Sequence, residues 1–375
     1  MSPHDLTNRL KTRAAELGFA LAGVAPADRP PGASRLDEWL AAGYAGQMQY
    51  LADRRDAYHD PNLVLDGVRS VLMLGMPYRT AEPVAAEPGQ GRVSRYAWGE
   101  SDYHTVIRDR LHELADEIRQ LSPEAKTRCV VDTAPLLERD FARQAGLGWI
   151  GKNTLLISKP ASDGPAGSYF FLAGVLTDVE LAYDEPFAAD HCGSCTACLD
   201  ACPTDAFPQP YVLDAKRCIS YLTIELRDHI PEELRDGLGD WLFGCDICQD
   251  VCPWNNKATI ATDSPYEPLE GMNPVDLPAL FDMDDAAFRE RFRKTPLWRS
   301  HREGLLRNAA IVLGNDPTPA ALPALVKGLA DVHPLVRAAC VWALGQFDDN
   351  AAMAALRSRV GVEEDEQVLA KLTSV

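Results

Sequence analysis

Cys192-Gly193-Ser194-Cys195-Thr196-Ala197-Cys198-Leu199-Asp200-Ala201-Cys202-Pro203, echoed further on by Cys245-Asp246-Ile247-Cys248-Gln249-Asp250-Val251-Cys252-Pro253, decides how this chain is read. The first run has the spacing C-x2-C-x2-C-x3-C-P by which bacterial chains wrap two 4Fe–4S clusters, the fourth cysteine passing to the other cluster. Three thiolates two residues apart close on one cubane, and the x3-C-P step carries the chain to its neighbour. Applied to both runs, this crossover draws one cluster from Cys192, Cys195, Cys198 and Cys252. The other takes Cys202, Cys218, Cys245 and Cys248, with the lone Cys218 supplying the cysteine that the second run lacks. Zinc and disulfides are the bland alternatives. All-cysteine zinc sites usually come as separated C-x2-C pairs, and nothing else in the chain suggests an oxidising compartment. Two clusters are expected.

Working outward, 375 residues suffice for two or three domains with a large core. Thirty-seven Lys and Arg against 55 Asp and Glu leave a net charge of −18, which argues against a surface built throughout for nucleic acid. Residues 289–307 stand apart, with Arg289, Arg291, Arg293, Lys294, Arg299, Arg302 and Arg307 against Glu290 and Glu303. A charge run is commonly a solvated helix surface, but in so acidic a chain this one suits an anionic partner. The N-terminus has no apolar core of leader length, and no run of about 18 apolar residues predicts a membrane span. A cytoplasmic location is expected.

Through 1–180, strands and helices alternate. Leu6, Leu10, Ala14 and Leu17 mark a helix over 4–18 that Gly18 ends, and Val68–Met76 reads as a buried strand. A helix is expected over 103–121, a short strand over 128–131, and a helix over 136–145 with Pro135 at its first turn. Residues 254–300 look irregular. Residues 304–375 repeat with an offset of 31, Leu313-Gly314 matching Leu344-Gly345 and Ala320-Ala321 matching Ala351-Ala352. This predicts HEAT-like helix pairs. Two units are few to stand alone and should dock on what precedes them, while Glu363-Glu364-Asp365-Glu366 reads as solvated surface. The expected organisation is an α/β N-terminal sheet domain (1–180), a ferredoxin-like two-cluster domain (181–260), and a linker with C-terminal α-helical HEAT-like repeats (261–375).

Clusters move electrons but choose no substrate, so a receiving site is needed, and the 1–180 region is the sizeable candidate. It carries neither G-x-G-x-x-G after a strand nor a P-loop, leaving nicotinamide and nucleotide sites unsupported. Asp102, His104, Asp132, Lys152 and Asn153 fall at predicted loop ends. Singly, Asp132 reads as the cap that starts the next helix and His104 as a surface histidine. Jointly they favour a pocket in which a carboxylic acid kept protonated by burial serves as general acid. Cys129 and Cys340 read as small buried hydrophobes.

Asp102-Tyr-His104, Val131-Asp132-Thr, Lys152-Asn153, the Cys192–Pro203 run, Cys218-Ile-Ser-Tyr-Leu-Thr and Gly244-Cys-Asp-Ile-Cys-Gln-Asp-Val-Cys-Pro-Trp-Asn together resemble the epoxyqueuosine reductases, over nearly the whole chain. The resemblance implies a cobalamin-dependent enzyme with two 4Fe–4S clusters that removes the epoxide oxygen of epoxyqueuosine at the tRNA wobble position, the last step of queuosine synthesis. It implies Asp132 as proton donor and Asp102 and His104 as substrate-pocket residues. Tyr58, Ser94, Lys152, Asn153, Ser220 and Asp246 match positions near the cobalamin; some members carry Arg in place of Tyr58 and Cys in place of Ser94. The D-x-H-x-x-G motif of His-on cobalamin proteins is missing, since Thr-Val-Ile follows His104, so no histidine from that motif is expected beneath the cobalt. Arg299 and Arg302, within the basic stretch before the repeats, are expected to contact the tRNA. An external electron donor, no membrane partner and a monomer complete the expectation. Two other classes compete: a reductive dehalogenase-like cobalamin enzyme of a small molecule, and a non-catalytic electron-transfer protein.

Overall fold

The computed structural model describes residues 2–159, 166–258, 260–261 and 264–373. The chain forms two compact units, each discontinuous in sequence: Met1–Thr80, Tyr103–Asp214 and Ile247–Pro265 make the first, and Ala81–Asp102, Ala215–Asp246 and Tyr266–Val375 the second. Among the described residues, strands β1 (Leu21–Pro26), β2 (Ser70–Pro77), β3 (Gln90–Val93), β4 (Thr127–Val130), β5 (Trp149–Ile150), β6 (Leu156–Ile157), β7 (Phe170–Thr177), β8 (Trp241–Phe243) and β9 (Val275–Asp276) form three sheets. No described helix is long and apolar enough to cross a membrane.

The first unit is built on a four-stranded sheet of order β1-β2-β7-β4. Every pairing in it is antiparallel, with Leu72 of β2 opposite Val24 of β1 and Val175 of β7. Strand β2 is buried along almost its whole length because both sheet faces are covered, and a strand covered twice needs an unbroken apolar run. Helices α1 (Pro3–Glu16) and α2 (Tyr103–Leu121) bury Leu6, Leu10, Ile107, Leu111 and Leu114. Ser2 and Asp5 close a capping box that starts α1. Helix α3 (Glu138–Gln144) contributes Phe141 and Ala142 to a second cluster with Val71, Met73, Val130 and Leu176. The alternation of strands and helices thus yields α/β layers without a parallel sheet. The rule that ligands gather at strand carboxyl ends belongs to parallel sheets, so the turn after β4, and not that rule, places Asp132.

In the second unit β3 pairs parallel with β8 and antiparallel with β9. Residues 254–300 are more regular than their composition suggests: helix α4 (Asp285–Phe292) starts where the Asp284 carboxylate accepts the Ala287 N–H at 2.8 Å. The repeats are α5 (His301–Asn315) with α6 (Leu322–Gly328), then α7 (Pro334–Leu344) with α8 (Asn350–Val360), closed by α9 (Glu366–Leu372). At Gly314 a Cβ would lie 2.7 Å from the Trp342 ring and 2.9 Å from the Ala343 backbone, so glycine lets α5 and α7 approach. One core joins Leu242, Phe243, Leu277 and Phe281 to Leu305, Ala309, Leu325, Val336 and Cys340, so the repeats do dock on preceding chain.

Two expectations fail here for one reason, the recruitment of charge into the interior. Glu363 is not solvated surface: its carboxylate is buried between Arg337 and Arg359, each at 2.7 Å. Those hydrogen bonds, Arg337 foremost, hold it well below the usual carboxylate range. Arg307 is no part of an exposed basic face. Its guanidinium donates to the carbonyls of Leu222 (2.7 Å), Leu226 (2.8 Å) and Asp228 (2.6 Å), and burial pushes it down to about 9.

Candidate active site and cluster cavity

Strand β4 ends at Val130, and the chain turns back on itself before α3. Thr133 N–H donates to the Val131 carbonyl, and Asp132 sits at φ +34°. Aspartate is among the few residues that tolerate such backbone, at a cost of about 1–3 kcal/mol. Arg54 Nη1 donates to the Thr133 carbonyl at 3.1 Å and steadies the turn. The Asp132 side chain, 47% exposed, meets two groups from the first turn of α2: Tyr103 Oη donates to Oδ2, and His104 Nε2 is hydrogen-bonded to Oδ1. Tyr103 is stacked between the His104 and Phe171 rings, both centroids 4.2 Å away. The structure therefore joins Asp132 to His104, and it adds Tyr103, which the sequence reading passed over although it lies between two residues singled out.

Behind the turn lies a second missed residue. Glu138, at the head of α3, accepts the Asp132 backbone N–H, and its Oε1 is buried without a hydrogen-bond partner. Burial, and then the charge of Asp132, push its carboxyl up to about 8. Tyr58 is buried in the short helix Arg55–His59. Burial and then the Glu138 charge raise its hydroxyl, which places Tyr58 within electrostatic reach of both carboxyls.

Cys192, Cys195, Cys198 and Cys252 line one cavity of about 380 Å³, walled by Ile157, His191 and Trp254. The four cysteines that the spacing groups together thus lie around one cavity. Trp149 packs edge-on against Trp254 (4.9 Å) and His191 (5.0 Å), backing two of the aromatic residues that line the cavity. Burial, then the neighbouring Cys252 and Cys192, push the Cys198 thiol up to about 11. Thiols so crowded resist ionising together, and a metal cluster supplies the positive charge that makes four thiolates stable. The residues present fit a 4Fe–4S cluster. Lys152 Nζ donates to the carbonyls of Gly193 (2.7 Å) and Cys195 (2.9 Å), and buried Asn153 donates to the Cys248 carbonyl at 3.3 Å. Both side chains from the β5–β6 turn therefore hold cluster-loop backbone. Of the second cysteine set, Cys202 and Cys248 belong to the first unit, and Cys218 and Cys245 to the other.

In the second unit the Ser94 hydroxyl and the Arg95 guanidinium both donate to the Asp246 carboxylate, as does Arg95 N–H at 2.9 Å, and all three residues are buried. Ser220 is half-buried on the first turn of the helix that follows Cys218. Arg299 Nη2 donates to both carboxylate oxygens of Asp102 at 3.2 Å, so these two expected substrate residues hold each other. Arg302 is a correction. It grips Asp331 (3.2 Å through Nη1) and the Met283 carbonyl (2.9 Å), with its side chain 13% exposed, because the turn between α6 and α7 requires a clamp. The exposed cations of the basic stretch are Arg289, Arg291, Arg293 and Lys294. Trp298 beside them is 38% exposed, with Arg289 over its ring. Cys129 is corrected too: it is half-buried, 3.9 Å from His112 Nδ1, on the wall of a polar cleft, whereas Cys340 is buried in the core as expected.

Comparison with known proteins bears on all three regions. A family model described as "Epoxyqueuosine reductase QueG, DUF1730" matches residues 59–133, a 4Fe-4S double cluster binding domain matches 191–255, and HEAT repeats match 299–374. The epoxyqueuosine reductase of Pseudomonas aeruginosa is 42% identical over 352 residues, covering 92% of this chain and 96% of that protein. That of Leadbetterella byssophila is 43% identical, covering 82% and 98%. Among solved structures, an epoxyqueuosine reductase with a tRNA-Tyr epoxyqueuosine-modified stem loop superposes with a TM-score of 0.90 at 30% identity, covering 99% of this chain and 98% of that one. The Bacillus subtilis epoxyqueuosine reductase, captured with its catalytic aspartate loop swung out of the active site, gives 0.90 at 29% identity over the same shares. With the family shared across nearly its whole length, this chain belongs to the epoxyqueuosine reductases.

Proposed function

We propose that this chain reduces the epoxide of epoxyqueuosine at the tRNA wobble nucleotide to the cyclopentene of queuosine, the last step of queuosine synthesis, with Asp132 as proton donor. The observation that carries this reading is the Asp132 carboxyl, half-exposed on a left-handed turn and held by Tyr103 and His104, in a chain of this family. Removing the epoxide oxygen as water consumes two electrons and two protons. A protonated Asp132 gives its proton to the oxygen as the ring opens, and a second proton lets that oxygen leave as water. Tyr103 and His104 aim the carboxyl and stabilise the charge left on it.

Electrons come from an external donor through two 4Fe–4S clusters, held by Cys192, Cys195, Cys198 and Cys252 and by Cys202, Cys218, Cys245 and Cys248. Cobalamin completes the cofactor set and, when bound, supplies a reduced cobalt able to attack or reduce the epoxide carbon. Of the positions matched to it, Tyr58 beside Asp132 fits a wall of its pocket, and Lys152 and Asn153 fit a turn set against the first cluster. The Ser94 and Asp246 side chains do not fit as direct contacts, because their polar atoms are taken by each other and by Arg95. The tRNA backbone rests on Arg289, Arg291, Arg293 and Lys294, with the wobble nucleotide turned out of its stack toward the active site. We read the enzyme as a monomer that works in the cytoplasm, a location that suits a tRNA substrate. The test is anaerobic reconstitution with iron, sulfide and cobalamin, then nucleoside analysis of tRNA from cells lacking the enzyme. Epoxyqueuosine should disappear as queuosine appears; persistent epoxyqueuosine with fully loaded, reduced protein would overturn the reading.

A further inference from the structure

The turn between β5 and β6 reaches the cysteine region twice, and each of its two polar side chains holds a different cysteine run. Asn153, 3% exposed, donates to the Cys248 carbonyl. Lys152 Nζ donates to the Gly193 carbonyl at 2.7 Å and to the Cys195 carbonyl at 2.9 Å. Those two carbonyls come to one side because the loop from Cys192 to Cys195 is a tight turn. Gly193 sits at φ +50°, and Cys195 N–H donates to the Cys192 carbonyl at 3.0 Å. Lys152 also lines the cavity that Cys192, Cys195, Cys198 and Cys252 share. Two loop carbonyls need only N–H donors, which a neutral amide supplies as well as an ammonium. The clamp therefore accounts for a donor at this position and leaves its charge unexplained.

Resting on the ligand assignment proposed above, we infer that Lys152 raises the reduction potential of the cluster held by Cys192, Cys195, Cys198 and Cys252, its anchored positive charge making that cluster easier to reduce. A 4Fe–4S centre on four thiolates is already an anion, and one added electron makes it more negative. A cation held beside it favours the reduced state, the more so where water is excluded. Lys152 is bound at both carbonyls, so its charge stays against the loop that carries two of the four ligands. Lys257 also lines the cavity but is exposed, where solvent and salt screen it. The anion within electrostatic reach of Lys152 is Asp190. It is exposed, and its carboxylate accepts the Cys192 N–H at 2.8 Å and the Tyr211 hydroxyl. Solvent and those two donors spread its charge, whereas Lys152 stands on the cavity wall. At the other cysteine run, Asn153 holds the Cys248 backbone without adding charge, so the effect belongs to one cluster. The step it favours is the arrival of one electron from the external donor, with no bond made or broken and no proton moved.

The test is an anaerobic redox titration of the full chain loaded with iron and sulfide, read by electron paramagnetic resonance of the reduced clusters, with iron content measured for every variant. Cys198→Ala removes a ligand of one cluster only and so identifies its signal. In Lys152→Gln and Lys152→Met, the reduction equilibrium of that cluster should fall about threefold or more, a downward shift of about 30 mV at about 59 mV per tenfold for one electron. The other cluster should keep its wild-type midpoint, and Lys152→Arg should stay near wild type at both. Gln keeps an N–H donor for the loop carbonyls and loses the charge, so it separates charge from clamp and decides the matter if Met loads poorly. An unchanged midpoint in Lys152→Gln, an equal shift of both clusters, or an equal fall in Lys152→Arg would overturn the inference and leave Lys152 a clamp. Cys198→Ala also separates the two readings. If it spares both signals, the ligand assignment and this inference fall together; if it removes one signal while Lys152→Gln leaves the midpoint in place, this inference falls alone.

Discussion

Two aspartates of this chain, Asp132 and Asp246, each sit inside a hydrogen-bonded group and are prepared for opposite work. Asp246 is 1% exposed and bonded to a buried guanidinium, a backbone N–H and a serine hydroxyl. Arginine is a permanent cation, so this carboxylate is matched to a fixed charge and pins the turn after β3 that carries Ser94 and Arg95. Asp132 has 47% of its side chain in solvent, on backbone that disfavours most residues, and its partners are a phenol and an imidazole. A further carboxyl lies behind the turn. A carboxylate matched to a fixed charge in the dry is architecture. One matched to titratable donors at the solvent edge is able to give and retake a proton.

Substitution should split the two aspartates cleanly. Asp132→Ala is expected to cut single-turnover conversion about 10²–10⁴-fold, the usual worth of general acid catalysis, with iron content and melting temperature unchanged. Asp246→Ala should do its harm in the fold. It strands the Arg95 charge in the interior, which costs about 3–5 kcal/mol and is read as a lower denaturation midpoint. Similar losses of stability from both would erase the distinction.

The carboxyl behind Asp132 sharpens the contrast through pH. Its folded-state value of about 8 lies above the ordinary 4.5, so between those values the folded chain holds a proton that the unfolded chain releases. This group therefore lowers stability as pH rises through that window, by up to about 1.4 kcal/mol per pH unit. Denaturation of wild type against Glu138→Gln across pH 5–8 should show the wild-type penalty growing with pH; parallel curves would remove it. Glu363 runs the other way. Held low by Arg337 and Arg359, it stabilises the repeats at neutral pH, and that contribution is lost as acid protonates it.

The smallest expected effect concerns the cations near α4. Arg289→Ala with Arg293→Ala should lower the salt slope of tRNA binding by about two units, one per phosphate contact. Arg302→Ala should leave that slope alone and lower the melting temperature, because Arg302 holds Asp331. A reversal of these outcomes would return the clamp to the RNA face.

What the sequence disclosed follows from how far apart partners lie along the chain. Cluster cysteines announce themselves because a cubane needs thiolates at short, fixed spacing, and Cys252, which the crossover groups with the first run, lines one cavity with it. The apolar run of β2 and the 31-residue offset of the repeats were equally plain, since burial on both faces and helix stacking repeat locally. Ion pairs were not legible. Arg302 with Asp331, Arg299 with Asp102 and Asp246 with Arg95 join residues far apart in sequence, so a basic stretch read as one face proved to be partly clamps. Helix α4 hid for a related reason: its start rests on the side chain of Asp284, amid residues whose composition suggested a loop. Asp132 was found by its place after a strand, although the sheet is antiparallel. Tyr103 and Glu138 were missed because nothing in their neighbours shows which way they face.

The measurement that bears most directly on the account is the pH dependence of single-turnover conversion in wild type against Asp132→Asn, both carrying full iron and cobalamin. Asn keeps the shape and one acceptor oxygen between Tyr103 and His104 and removes the titratable proton. If Asp132 is the donor, the wild-type rate falls along an alkaline limb as the donor empties, and the Asn variant shows a slow residual rate that is flat across the same range. An Asn variant that keeps the wild-type limb at a comparable rate would place the proton donor elsewhere and return Asp132 to the role of a turn residue.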